Sequence, residues 1–142
     1  RIARWRASKV DRLLGDAGIV RHRGKIEAVI GNAKCMRALV DEHGSFAAYV
    51  WRFEPGDHER PRDRSWATLK TLAQTDASAA MARDLQRRGF RFFGPTTAYA
   101  FMQAMGLVND HVDGCSLRPV VERQRRAFRR PSSKAEKHSA EQ

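Results

Sequence analysis

Apolar residues recur along most of this chain at the three-and-four spacing of a helix face, and nowhere do they alternate over a useful strand length. The clearest stripe is Ile26, Val29, Ile30, Ala33, Met36 and Val40, with Gly44 placed to end it. Before it, Ser8 and Asp11 have the look of an N-terminal capping pair for a short helix carrying Val10, Leu13 and Leu14, closed by "GDAG". The connection "AGIVRHRG" between the two is compact and basic. Ser45 is placed to cap a third helix through "FAAYVWRF", whose Phe46, Tyr49, Trp51 and Phe53 read most simply as core. Residues 54–67, "EPGDHERPRDRSWA", combine two prolines with dense charge and read as a loop. Thr75 then precedes "DASAAMARDLQRR", with Gly89 behind it. The run "GFRFFGPTTAYAFMQAMG" adds a tight glycine-bounded hairpin, Pro95 at a first helical position, and an apolar helix ending at Gly106. The expected fold class is all-α.

With 142 residues the chain is long enough for one core and too short for two comfortable domains. Its 42% hydrophobic content supports a folded protein. Charge changes the picture more: 27 Lys and Arg against 16 Asp and Glu leave +11, which favours an anionic partner, nucleic acid ahead of a membrane surface or an acidic protein. Residues 118–142 hold eight of those cations against three acids and read as a flexible basic tail, leaving 1–117 as the helical domain and most of the basic excess within it. Two cysteines, Cys35 and Cys115, make no disulfide framework and suit a reducing cytoplasm. No apolar run approaches the ~18 residues of a membrane span, so no membrane association is expected. The opening "RIARWRASKV" has no initiator Met and enters a helix signal at once, which reads as a piece of a longer protein.

Three stretches carry candidate chemistry. In "RRGFRFFGPTT", Gly89 and Gly94 permit a sharp turn and Pro95 opens a helix whose first N–H groups suit a phosphate; Arg87, Arg88 and Arg91 would add salt-sensitive attraction. Taken alone, the stretch is more simply a well-capped turn plugged by Phe90, Phe92 and Phe93. In "GIVRHRGK", Arg21, His22, Arg23 and Lys25 either face a nucleic-acid backbone or form a solvated loop, with His22 a surface residue rather than a catalyst. In "NDHVDGC", His111 and Cys115 sit four apart, a spacing that zinc accepts, but a structural zinc takes four ligands. Cys35, His22, His43, His58 and His138 supply no second pair at ligand spacing. On spacing alone a buried cysteine and a capping histidine are the better reading.

As a set, "LLGDAGIVRHRGKIEAVIGNAK", "RRGFRFFGPTTAYAFMQAMGLVNDH" and the following "VDGC" resemble the bacterial 3-methyladenine DNA glycosylase I family of the helix-hairpin-helix DNA repair superfamily, over residues 3 to 115. The resemblance implies a monofunctional N-glycosylase that turns an alkylated base out of double-stranded DNA and hydrolyses its glycosidic bond, working as a cytoplasmic monomer. It implies that the hairpin grips the backbone, so Arg21, Arg23, Lys25, Arg88, Gly89, Arg91, Gly94 and Thr96 are the expected DNA-binding residues. It implies that His111 and Cys115 are two of four ligands of a structural Zn²⁺. The other two ligands, and a base pocket of a glutamate with aromatics, belong to an N-terminal part of the family that precedes the matching residues. The 142 residues alone are therefore expected to be weak or inactive. Asp110 stands where many superfamily members place a catalytic aspartate and is read as structural, with a catalytic role as the alternative. A reading of a different class is a non-catalytic basic helix-hairpin-helix module that binds nucleic acid.

Overall fold

The computed structural model describes residues 1–132, and among them the chain is all-helical, with no strand. The helices are α1 (Ala7–Leu14), α2 (Arg23–His43), α3 (Phe46–Trp51), α4 (Trp66–Leu69), α5 (Asp76–Arg87), α6 (Pro95–Ala104) and α7 (Leu117–Ala127), with 3-10 turns at Ile2–Arg4 and Asp57–Glu59. No helix among the described residues is long and apolar enough to cross a membrane.

The long helix α2 organises the fold, and its buried stripe departs from the simple spacing. Val29 and Val40 are 50% and 37% exposed, while Ile26, Ala28, Ile30, Leu39 and His43 are buried. The helix serves two apolar clusters rather than one. Its N-terminal half sets Ile26 and Ile30 on Val10 of α1, with Trp5, Leu13 and Leu14 alongside. Its C-terminal half sends Cys35, Met36 and Leu39 into the larger core with Tyr49, Met81, Leu85, Met102 and Leu107. Neighbours at two bearings around one helix broaden the apolar face beyond a single row. Gly44 ends α2 in the left-handed region, φ 86°, with its N–H on Val40 O at 2.8 Å.

Several helix starts follow their local signals. Ser45 Oγ accepts from Ala48 N at 2.9 Å, Thr75 and Ser78 form a reciprocal capping box, and Pro95 opens α6. The Ser8–Asp11 pair does not cap α1. That helix begins at Ala7, which puts Ser8 inside the first turn, and Asp11 instead accepts from Arg23 at 2.8 Å. The basic connection is also shorter than its composition suggests, because α2 starts at Arg23 and His22 caps it, Nδ1 accepting from Lys25 N at 3.1 Å. The 54–67 loop ends early, where Ser65 caps the single helical turn of α4.

The largest correction is at the C-terminal end of the described chain. Residues from 118 read as a flexible basic tail, yet Leu117–Ala127 form α7 and Arg125 is only 5% exposed. Arg125 Nε donates to Gly106 O at 2.6 Å, and Nη2 donates to Leu107 O at 2.8 Å and to Glu54 Oε1 at 2.7 Å. Those carbonyls belong to the reversal after α6, where buried acceptors need a partner, and the guanidinium fork reaches them and a carboxylate together. Glu54 also receives Arg130 at 2.8 Å and Arg60 at 3.4 Å. Burial pushes the Glu54 carboxyl up, but the hydrogen bond from Arg130 and the charges of Arg130, Arg125 and Arg60 outweigh it and hold the group below the usual carboxylate range. Phe128 closes against Trp51, ring centroids 4.8 Å apart. The rest of the expected tail, residues 133–142 with His138, lies outside the described residues.

Candidate nucleic-acid interface

The helices α5 and α6 pack on each other across the hairpin at residues 88–94. Gly89 turns the chain at φ 95° with its N–H on Gln86 O at 2.9 Å, and a Cβ there would stand 3.2 Å from Cys35 Sγ, so both the turn and the close approach to α2 require glycine. Phe90 is 8% exposed and joins the large core, while Phe93 lies half-buried with its centroid 6.5 Å from Phe90 and 6.4 Å from Phe101. The turn is thus mounted on the core by two of its three phenylalanines. Gly94 precedes α6 with no side-chain cap, and nothing lies within 4 Å of a Cβ position there. Pro95 has no N–H, so Thr96 and Thr97 carry the first open amides of α6, a geometry suited to an anion.

Two amide side chains brace this turn, and neither was singled out from the sequence. Asn32 of α2 donates from Nδ2 to Arg91 O at 3.0 Å and accepts from Arg91 N at Oδ1 at 2.9 Å. Gln86 Nε2 donates to Phe93 O at 3.1 Å. A polar residue within a helix is normally solvated; the one available signal was an asparagine inside an otherwise good helix. Between the two braced positions stands Phe92, with φ 56°, the one non-glycine residue at positive φ among the described residues, and 59% exposed. Its ring meets the edge of His22, centroids 5.9 Å apart and planes at 78°.

The expected cations divide into two groups. Arg21, Lys25 and Arg91 are exposed and form no ion pair among the described residues. Arg23 is tied to Asp11 at 2.8 Å and Glu27 at 3.7 Å, and Arg87 to Asp84 at 3.0 Å. Arg88 is a brace rather than an open cation. It donates to Glu42 at 2.6 and 3.1 Å and to Asp84 at 2.8 Å, and lies over the Tyr49 ring, 5.5 Å from its centroid. The hydrogen bonds to Glu42 and then Asp84 hold its guanidinium more firmly protonated than usual. Arg88 therefore couples α5 to α2 and leaves the set free to meet phosphate, Thr96 remaining exposed at the helix start.

A second group of side chains follows α6. Asp110 Oδ2 accepts from Tyr99 Oη at 2.5 Å and from Gln103 Nε2 at 3.0 Å. Burial, then the bond to Asp110, pushes the Tyr99 hydroxyl pKa up. Asp110 also borders a cavity of about 280 Å³ shared with Pro61, Thr75 and Val108. Next to it, His111 Nδ1 bonds Asn109 Oδ1 at 2.8 Å, which leaves Nε2 as the unbonded ring nitrogen, the arrangement usual for a metal-ligating histidine. Cys115 is a half-buried free thiol. Among the described residues no group of three or more His, Cys, Asp or Glu side chains is placed to hold a metal. His111 and Cys115 are two donors, short of the four that a structural zinc takes.

The model of the methyladenine glycosylase family matches residues 1–118, hairpin and Asp110–Cys115 segment included. The chain belongs to that family. It is 43% identical over 120 residues to DNA-3-methyladenine glycosylase 1 of Escherichia coli (strain K12), covering 84% of this chain and 63% of the relative. To the DNA-3-methyladenine glycosylase of Haemophilus influenzae it is 39% identical over 118 residues, covering 81% and 61%. A crystal structure of 3-methyladenine DNA glycosylase I superposes with a TM-score of 0.73 at 46% identity, over 84% of this chain and 64% of that one. The Staphylococcus aureus enzyme, solved for its recognition of 3-methyladenine, gives 0.70 at 31% identity, over 83% and 62%. The chain thus spans less than two thirds of the length of these relatives. In this chain α5, the hairpin and α6 form a helix-hairpin-helix inside the family match, whereas residues 119–132, with most of α7, lie beyond it.

Proposed function

We propose that the protein acts in base-excision repair, binding double-stranded DNA in the cytoplasm and hydrolysing the N-glycosidic bond of 3-methyladenine. The observation that carries this is the hairpin of a methyladenine glycosylase family member held rigidly on the core with the amides of Thr96 and Thr97 uncapped. The chemistry is consistent with such a site. An adenine alkylated at N3 is cationic, so its bond to the sugar is already weakened and the enzyme's main work is to hold DNA, admit the extruded base and supply water.

The residues of this chain account for the holding. Gly94 and the first turn of α6 offer backbone donors to one phosphate, which fixes register without reading sequence. Arg21, Lys25 and Arg91 supply the long-range, salt-sensitive attraction. Tyr99 and Gln103 keep Asp110 oriented at the end of α6, a structural task, with a role toward the reacting sugar as the alternative. Zinc belongs to the same reading: Asn109 orients His111, and His111 with Cys115 would hold one side of the ion, stabilising the segment after α6.

The test pairs two measurements on the same alkylated DNA: duplex binding by fluorescence anisotropy and release of 3-methyladenine by chromatography. Binding with release supports the glycosylase. Binding without any release matches the expectation that these 142 residues are weak or inactive alone. Release restored when the N-terminal part of a relative is joined to them would then support the glycosylase. No release even so would favour the non-catalytic module, and absence of binding removes both.

A further inference from the structure

We propose that Phe92 is a DNA-contact residue, its ring packing on a deoxyribose of the strand that the hairpin grips. The inference rests on the DNA-binding reading and adds a side-chain contact to it.

Phe92 is held in a backbone conformation that an L side chain adopts at a cost and that glycine adopts freely. Such strain persists only where the surroundings over-determine it. Here they do, because Asn32 fixes Arg91 on one side and Gln86 fixes Phe93 on the other. The fold does not compensate by burying the ring. Phe90 and Phe93 enter or line the core, whereas Phe92 is 59% exposed, its ring T-shaped against His22 and its Cζ 3.7 Å from where a Cβ on Gly24 would stand. A strained, rigidly mounted aromatic at the tip of the turn is thus presented outward.

Its surroundings indicate what it meets. His22 caps α2 between Arg21 and Arg23, Lys25 is in the first turn, and Arg91 is the chain neighbour. An apolar face among open cations matches a nucleic-acid backbone, which offers apolar sugar faces between its phosphates. An apolar protein partner would leave Arg21, Lys25 and Arg91 without counter-charges.

The experiment uses the full chain, a fluorescein-labelled duplex and a series of salt concentrations, with Phe92→Gly, Phe92→Ala and Arg91→Ala beside the parent. Both Phe92 variants are expected to bind roughly tenfold more weakly at every salt concentration, the order of one lost ring contact, with an unchanged salt slope. Arg91→Ala should instead reduce the slope by about one. In thermal denaturation Phe92→Gly should melt above Phe92→Ala, since both lose the ring and only glycine releases the strain. Phe92 variants that fold and bind like the parent would overturn the contact, and Phe92→Gly melting at or below Phe92→Ala would overturn the strain that motivates it. A parent chain that binds no duplex would remove the DNA reading itself, a result distinct from equal binding by all variants.

Discussion

Asn32 and Arg91 meet through two hydrogen bonds made by one amide side chain to both polar groups of one backbone residue, 3.0 and 2.9 Å long. The side chain of α2 thereby takes the place that a neighbouring strand would occupy, and the position of the hairpin is set by a helix 59 residues away in sequence. Asn32→Ala removes both bonds and is expected to destabilise the fold by about 1–2 kcal/mol. Urea denaturation measures that loss, and amide exchange at Arg91 should accelerate more than exchange at core amides such as Leu85. Equal acceleration throughout would mean that the bracket does not act locally.

Gly89 carries two separate demands, a positive φ and close contact with Cys35. Gly89→Ala is expected to cost about 2 kcal/mol, from backbone strain and steric crowding together. Adding Cys35→Ala should recover only the crowding part, so the double variant is expected to stay below Cys35→Ala in stability. Full recovery would show that φ is not a constraint at this turn.

Removing Arg125 leaves Glu54 with a reduced set of partners and leaves the carbonyls of Gly106 and Leu107 without their donor. Arg125→Met is therefore expected to lower stability by ~3 kcal/mol, the scale for breaking a buried ion pair on one side. Limited proteolysis should cut first within residues 117–127. A variant as resistant as the parent would show that α7 is held by Phe128 and Trp51 rather than by the guanidinium.

The same cluster sets a pH dependence. The Glu54 carboxyl is held below its ordinary value of 4.5 in the folded protein, so its contribution is fully present above that value and is lost as pH falls through the lower folded one. The stability difference between the parent and Glu54→Gln should shrink as pH falls below 4.5. A difference that stays constant over that range would mean that Glu54 gains nothing from its charge.

With His111 and Cys115 as the donors on this face and no larger cluster among the described residues, zinc retention is expected to be incomplete. Purified chain should carry well under one equivalent by elemental analysis, and a chelator should lower its melting temperature only slightly, in keeping with the fraction of zinc retained. A full equivalent surviving dialysis would show that two further ligands join them.

Local chemistry determined much of this protein from the sequence alone. Ser45, Thr75, Pro95 and Gly44 act on backbone groups within four residues, so the end of α2 and the starts of α3, α5 and α6 were legible without a partner. The glycine-bounded hairpin and the quoted motifs were legible for the same reason, and the family comparison agrees with the resemblance they carry. Other features depend on residues far apart. Arg125 has the same side chain as the exposed Arg126 beside it, and the approach of Glu54, 71 positions away, and of the Gly106 and Leu107 carbonyls makes one a buried clamp and the other a surface charge. Arg88 likewise became a brace through Glu42, and Phe92 stood apart from Phe90 and Phe93 only once the turn was placed on α2. Periodicity and capping are short-range and read directly along the chain. Burial, ion pairing and backbone strain are decided by which distant groups arrive, and only the tertiary structure supplies them.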